Sequence, residues 1–364
     1  MSKKESPPPK QQPPKYQMVK DYVLSQIETR GFTQNDRIPS ESEFSKLLDV
    51  SSITVRKALS ELVNEGVIYR IRGKGSFVAS QTASAEKTSN LVAFVISGVD
   101  LYDSSYMQIM RGIQSFLGKN GCKLIIEFVE DDFEQERELV LGLIESRLKG
   151  LLIYSSDPEA AKSYLGEVRK KSVPFVMLDR SPAGYPVNVV TCNNHDGAYE
   201  AVEHLIRQGH GKIGFAAYDY HLSPEVERYN GYANALSNAS LPLSDSRLFL
   251  EHELDYAAIA RLVREGELTA LFCANDKRAL DILERLTELE IAIPGQLSLI
   301  GFDDFESSKF AKVALSTVKQ YFDVLGYESA KLLLEIAEGG SYGNKKVLLP
   351  TSLVLRDTIK PFEN

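Results

Sequence analysis

Polar residues stand where apolar runs end. Asp179 follows Phe175-Val-Met-Leu, Asn275-Asp276 follows Leu271-Phe-Cys-Ala, and Asp303-Asp304 follows Ile300-Gly-Phe, with Arg228 opening a predicted helix. Carboxylates, an amide and a guanidinium gathered in one cleft are the groups that bind the neighbouring hydroxyls of a small polyol. A single Asp at such a position more often caps the next helix, so the expectation rests on the set. A second group is hydroxylated and cationic: Ser51, Ser52, Ile53, Thr54, Arg56 and Lys57 in one stretch, then Arg70, Arg72 and Lys74 around Gly73 and Gly75. Hydroxyls and cations of this kind contact phosphate and base edges, and the amides freed by the glycines suit phosphate. No Gly-x-Ser-x-Gly, P-loop or metal-ligand spacing occurs, so no catalytic residue, cofactor or metal is expected.

The cationic group needs a scaffold that presents it. Tyr16 to Thr29 places Met18, Val19, Tyr22, Val23 and Ile27 on one helical face. Ser40-Glu-Ser-Glu predicts an N-cap at Ser40 and a capping box closed by Glu43, with Phe44, Leu47 and Leu48 inward. Ser51 is expected to cap a third helix from about Ser52 to Glu65, with Val55, Leu59 and Leu62 inward and Gly66 ending it. Val67 to Arg72 and Ser76 to Ala79 then read as a hairpin around Gly73-Lys-Gly. Two helices joined by a tight turn and followed by a hairpin make a winged helix-turn-helix, whose second helix enters the major groove.

The polyol-binding group needs parallel strands. After a small, polar stretch at 81–90, a linker by composition, Leu91-Val-Ala-Phe-Val-Ile opens an alternation of apolar strands and amphipathic helices. It restarts near Ala198 and runs to Leu297-Ser-Leu-Ile-Gly-Phe. Repeated strand–helix–strand units imply parallel sheets covered on both faces, with ligands beyond the carboxyl ends of the strands. Two runs of similar length predict two lobes. Tyr102 and Tyr106 are candidates to stack on a sugar face.

Bulk properties agree. The chain has 364 residues, enough for two or three domains, and no apolar run long enough to span a bilayer. Residues 1–14 form a Pro-rich tail, expected to be disordered and unlike a secretory signal. The scattered cysteines Cys122, Cys192 and Cys273 predict a reducing, cytoplasmic setting without disulfides. Residues 1–80 hold 13 Lys+Arg against 9 Asp+Glu, leaving 29 against 41 in the rest: a basic head on an acidic body.

Residues 15–80 resemble the GntR family of bacterial transcription factors through Arg37-x-Pro-Ser-Glu, Val50-Ser-x-x-Thr-Val-Arg-Lys-Ala, Leu62-x-x-x-Gly and Arg72-Gly-x-Gly-x-Phe-Val. By that resemblance Ser42, Ser51, Thr54, Arg56, Arg72, Gly73 and Lys74 fall on DNA-contacting positions, and Arg37, Ser52 and Lys57 are counted with them. Ser52 stands where the family usually has Arg, so the operator is expected to depart from the family norm. Residues 91–364 resemble LacI/GalR-type effector domains, which are similar to periplasmic sugar-binding proteins. The motifs are Gly197-Ala-x-x-Ala-x-x-His-Leu-Ile, Arg228-x-x-Gly-Tyr, Ala274-Asn-Asp, Ile293-Pro-x-x-Leu-Ser-Leu-Ile-Gly-Phe-Asp-Asp and Leu315-Ser-Thr-Val-Lys-Gln. Carried over, Asp179, Arg228, Asn275, Asp303 and Gln320 fall on ligand positions.

The implied fold class is α/β, an N-terminal winged helix-turn-helix plus a two-lobed periplasmic-binding-protein-like domain of parallel sheets flanked by helices. The implied function is that of arabinose-responsive repressors: a homodimer joined through the body, on double-stranded operator DNA, released by a monosaccharide such as L-arabinose. A ligand-responsive activator, or a regulator answering to a nucleoside or other small polar metabolite, is the alternative. GntR-type heads also occur fused to aminotransferase-like domains, but the body lacks their signatures. A transport binding protein is inconsistent with the head.

Overall fold

The computed structural model describes residues 15–29, 31–33, 35–64, 67–71, 74–79, 90–98, 105–218, 221–339 and 344–362. The chain divides into two compact units, Met1–Ser89 and Asn90–Asn364.

In the first unit, helices α1 (Lys15–Glu28), α2 (Glu41–Leu48) and α3 (Ser52–Asn64) precede strands β1 (Ile68–Ile71) and β2 (Gly75–Val78). The strands pair antiparallel, from Ile68 opposite Val78 to Ile71 opposite Gly75. Gly75 has φ +116°, a backbone that only glycine adopts at little cost. Val19, Val23, Phe44, Val55, Leu59, Leu62 and Ile68 are among the residues that close the core. Ser40 caps α2 through the expected box, accepting from the Glu43 amide while the Glu43 carboxylate accepts from the Ser40 amide. Two expected core residues are not buried: Met18 is 45 % and Leu47 54 % exposed. Each lies at the edge of its helix's apolar stripe, and the small three-helix core is already filled. The end of α3 at Gly66 and the hairpin residues Arg72 and Gly73 lie outside the described residues, as does the 1–14 tail.

The second unit holds two six-stranded sheets. In chain order its elements are β3 (Leu91–Ser97), α4 (Ser105–Lys119), β4 (Lys123–Val129), α5 (Phe133–Ile144), β5 (Gly150–Tyr154), α6 (Pro158–Lys170), β6 (Phe175–Leu178) and β7 (Val189–Cys192). There follow α7 (Asn194–Arg207), β8 (Ile213–Ala216), α8 (Ser223–Asn238), β9 (Leu248–Phe249), α9 (Tyr256–Arg264), β10 (Ala270–Cys273), α10 (Asp276–Glu288) and β11 (Ser298–Asp303). The last are α11 (Glu306–Phe310), β12 (Ser316–Lys319), α12 (Phe322–Ala337), β13 (Lys346–Leu349) and β14 (Ser352–Val354). One sheet runs β13-β7-β6-β5-β3-β4 and the other β14-β12-β11-β10-β8-β9. All pairings are parallel except β12 with β14.

The lobes are not successive halves of the chain, as the restart near Ala198 implied. The backbone crosses between them at Asn193, at Gln320-Tyr321 and at Pro350-Thr351, because β13 pairs with β7 in the first lobe and β14 with β12 in the second. The Tyr321 hydroxyl lies 3.1 Å from Ser352 Oγ and ties two crossings together. Each lobe has a helix pair whose backbones touch. In the first lobe a Cβ at Gly112 on α4 would collide with the Asp323 carbonyl, and one at Gly326 on α12 with that of Ile109. In the second, a Cβ at Gly231 on α8 would collide with the His195 carbonyl of α7.

Candidate functional site

The head presents its polar residues along α2, the start of α3 and the hairpin. Ser51 Oγ accepts from the Thr54 amide at 3.2 Å and lies 2.8 Å from Thr54 Oγ1, so the Ser51 hydroxyl also serves as a helix cap. Ser52 Oγ lies 3.4 Å from Ser45 Oγ of α2, and Ser42 Oγ 3.1 Å from Ser40 Oγ. Ile53 is 78 % exposed between them. Arg56 donates from Nε and Nη2 to Glu41 Oε2 at 3.1 and 3.0 Å, which raises its pKa through the hydrogen bond and the charge of Glu41. Arg70 of β1 approaches the other oxygen of that carboxylate at 3.7 Å. Arg37 lies against Gly75, and Lys74 is exposed beside it. Lys57 is turned away from this group, its Nζ 4.4 Å from the centre of the Tyr16 ring on α1.

In the body, Tyr106, Asp179, Arg228, Asn275, Asp303 and Gln320 all line one cleft of about 910 Å³ between the two lobes. Tyr102 lies outside the described residues. Arg228 is not at the opening of its helix: α8 begins at Ser223, so Arg228 sits a turn and a half inside, 4 % exposed. Its Nε donates to Asn194 Oδ1 at 2.8 Å, its Nη1 to the Ala274 carbonyl at 2.5 Å, and its Cζ lies 3.8 Å over the Phe302 ring. Burial opposes its charge, yet Asp303 above all, with Cys192, Asp179 and Glu225, carries its pKa above the ordinary value. Asp303 Oδ1 lies 3.5 Å from Arg228 Nη1 and accepts from Gln320 Nε2 at 2.6 Å. Asp179 accepts from Thr191 Oγ1 at 3.3 Å.

Asn275 does what the bland reading of a strand-end residue says: its Oδ1 caps α10 by accepting from the Arg278 amide at 2.8 Å. Its Nδ2 remains on the cleft side and donates to Glu225 Oε1 at 2.8 Å. Asp179 (φ +62°), Asp303 (φ +124°) and Asp304 (φ +60°) have left-handed backbones, which aim the chain as it leaves β6 and β11. Asp304 itself is paired with Arg356 and does not line the cleft. His210 is structural, its Nδ1 3.1 Å from Thr269 Oγ1 and its Nε2 3.1 Å from the Lys360 carbonyl oxygen.

Residues 15–78 match the family described as bacterial regulatory proteins, gntR family, and residues 202–359 match the periplasmic binding protein-like domain. The chain joins a gntR-type head to a periplasmic-binding-protein-like body. It is 26 % identical to the arabinose metabolism transcriptional repressor of Geobacillus stearothermophilus, over 95 % of this chain and 98 % of that one. It is 28 % identical to the HTH-type transcriptional repressor PurR of Vibrio atlanticus, over 84 % and 91 %. A solved lac repressor dimer, bound to operator and the anti-inducer ONPF, superposes with a TM-score of 0.64 at 27 % identity, covering 78 % of this chain and 99 % of that one. The protein is a DNA-binding transcriptional repressor.

Several further residues line the cleft that the sequence did not point to. Arg180 follows Asp179 directly, lies 4.8 Å from the centre of the Tyr154 ring and donates to the Ser155 carbonyl at 3.4 Å. Its position two residues past a strand end, directly after Asp179, was the available signal. Glu225, Tyr218 and His252 sit on loops or helix starts with no periodicity to mark them. Among the described residues no helix is long and apolar enough to cross a membrane, and no His, Cys, Asp and Glu cluster could hold a metal.

Proposed function

We propose that this repressor answers to a sugar, with L-arabinose the first pentose to try, and that the sugar ring binds around Arg228. The observation that carries this reading is the buried Arg228 guanidinium facing Asp303 inside a cleft that also presents Asp179, Asn275 and Gln320. That set offers paired donors and acceptors at hydroxyl spacing, and Tyr106, edge-on to Tyr154 at 5.6 Å, offers a face for ring carbons. Residues 15–80 then hold the operator, 81–90 connect, and 91–364 bind the effector and a second copy of the chain. Effector binding closes the lobes and shifts the placement of the heads, a coupling of about 1–3 kcal/mol sufficing to release DNA.

The test is a thermal-shift and operator-release panel of monosaccharides, with nucleosides as controls. At least one sugar is expected to raise Tm and release operator, and Arg228→Lys to abolish both effects while the protein stays folded. A response to nucleosides alone, or to no small polyol, would overturn the reading.

A further inference from the structure

Resting on that reading, we infer that the cleft holds a second, outer subsite walled by Tyr218, and that the preferred effector is a disaccharide rather than a free single ring. Three observations lead there. First, about 910 Å³ is at the upper end of pockets that enclose drug-sized ligands, which run from about 300 to about 1,000 Å³.

Second, Tyr218 is held in place by a fully buried arginine. Arg278 on α10 has no exposure, and its Cζ lies 3.4 Å from the centre of the Tyr218 ring. Its Nη2 donates to the carbonyls of Ala217, Glu251 and His252 at 3.0–3.1 Å, tying the end of β8 to the loop after β9. Nη1 lies 3.6 Å from Asp281 Oδ2, which also accepts from the Tyr256 hydroxyl at 2.5 Å. Arg278 Nε and Nη1 have no hydrogen-bond partner. Burying a guanidinium so incompletely satisfied is unfavourable. What it secures is the rigid placement of one aromatic wall and two loops on the cleft.

Third, the chemistry of this wall differs from that of the inner site. Tyr218 offers a ring face, His252 packs beside it at 5.7 Å between centroids, and Lys277 Nζ stands 6.0 Å from the ring centre. Leu280, one helical turn beyond Lys277, lines the same cleft. An apolar face edged by donors matches the C–H face and ring oxygens of a sugar unit, whereas the inner site, rich in carboxylates, reads hydroxyl protons.

Titration calorimetry on the full chain would compare L-arabinose with arabinobiose, D-xylose with xylobiose and D-glucose with cellobiose. For at least one pair the disaccharide is expected to bind about tenfold tighter or more. Tyr218→Ala should bring that ratio to within about twofold, and Tyr218→Phe, which keeps the ring, should preserve it; melting curves of both variants verify folding. Equal affinities, exclusion of every disaccharide, or a ratio indifferent to Tyr218→Ala would overturn the outer subsite and leave the sugar reading standing. Binding of none of the six sugars would overturn both.

Discussion

Arg56 donates from Nε and Nη2 to the Glu41 carboxylate across the helix-turn-helix, and Glu41 Oε1 also faces Arg70 of the wing strand at 3.7 Å. One carboxylate on α2 thus orients a cation from the reading helix and one from the hairpin. The partners are surface groups, so the pair adds little to stability; its effect is to fix where a flexible guanidinium points before DNA arrives. Arg56→Ala is expected to weaken binding to a selected operator about tenfold and to reduce the salt slope of log Kd by about one. Glu41→Ala leaves both cations in place but unheld, so it should raise affinity for scrambled DNA and narrow the gap to operator. Fluorescence anisotropy over a salt series measures both; an Arg56→Ala slope equal to wild type would remove Arg56 from the DNA-contacting set.

The touching backbones of α4 and α12 predict a stability effect with no change of charge. Gly326→Ala forces a methyl group into the Ile109 carbonyl, and neither backbone can retreat without unpacking Phe322 and Leu325 from the first-lobe core. Overpacking of this kind costs about 1–3 kcal/mol or more. Gly142→Ala, on the exposed side of α5 with open space around it, should stabilise slightly. Calorimetric melts that move both variants in the same direction would contradict this account.

Asp276 predicts a pH dependence. Burial pushes its carboxyl up to about 7 from 3.8. Hydrogen bonds from the Thr317 hydroxyl (2.5 Å), the Phe305 amide (2.9 Å) and Ser308 pull the other way, and the nearby Asp304 charge adds to the rise. The folded state therefore keeps a proton that the unfolded chain releases above pH 3.8. The stability this contributes is complete below 3.8 and is lost as pH climbs to about 7, by up to about 1.4 kcal/mol per pH unit. Asp276→Asn cannot titrate, so the Tm difference between wild type and variant should shrink between about pH 5 and pH 7. Parallel curves would refute the assignment.

What could be read from the chain was what neighbours in sequence decide. The Ser40–Glu43 box, the Ser51 cap and the strand-end positions of Asp179, Asn275 and Asp303 follow from spacing within a few residues. The three crossings did not, because the pairing of Lys346 with Val189 joins residues far apart in the chain and neither strand carries a mark of its partner. Arg278 could not be told from a solvated helix residue: its burial comes from carbonyls contributed by two distant loops. Lys57, on the expected reading edge by number, is drawn aside by Tyr16 from another helix.

Gln320 sits on one of the three passages between the lobes and also grips Asp303. A molecule seated against it would press on the axle of the hinge rather than on the tips of its jaws. A displacement of a fraction of an ångström at such a passage grows with distance from it. A small solute there would gain a mechanical advantage over the rest of the body.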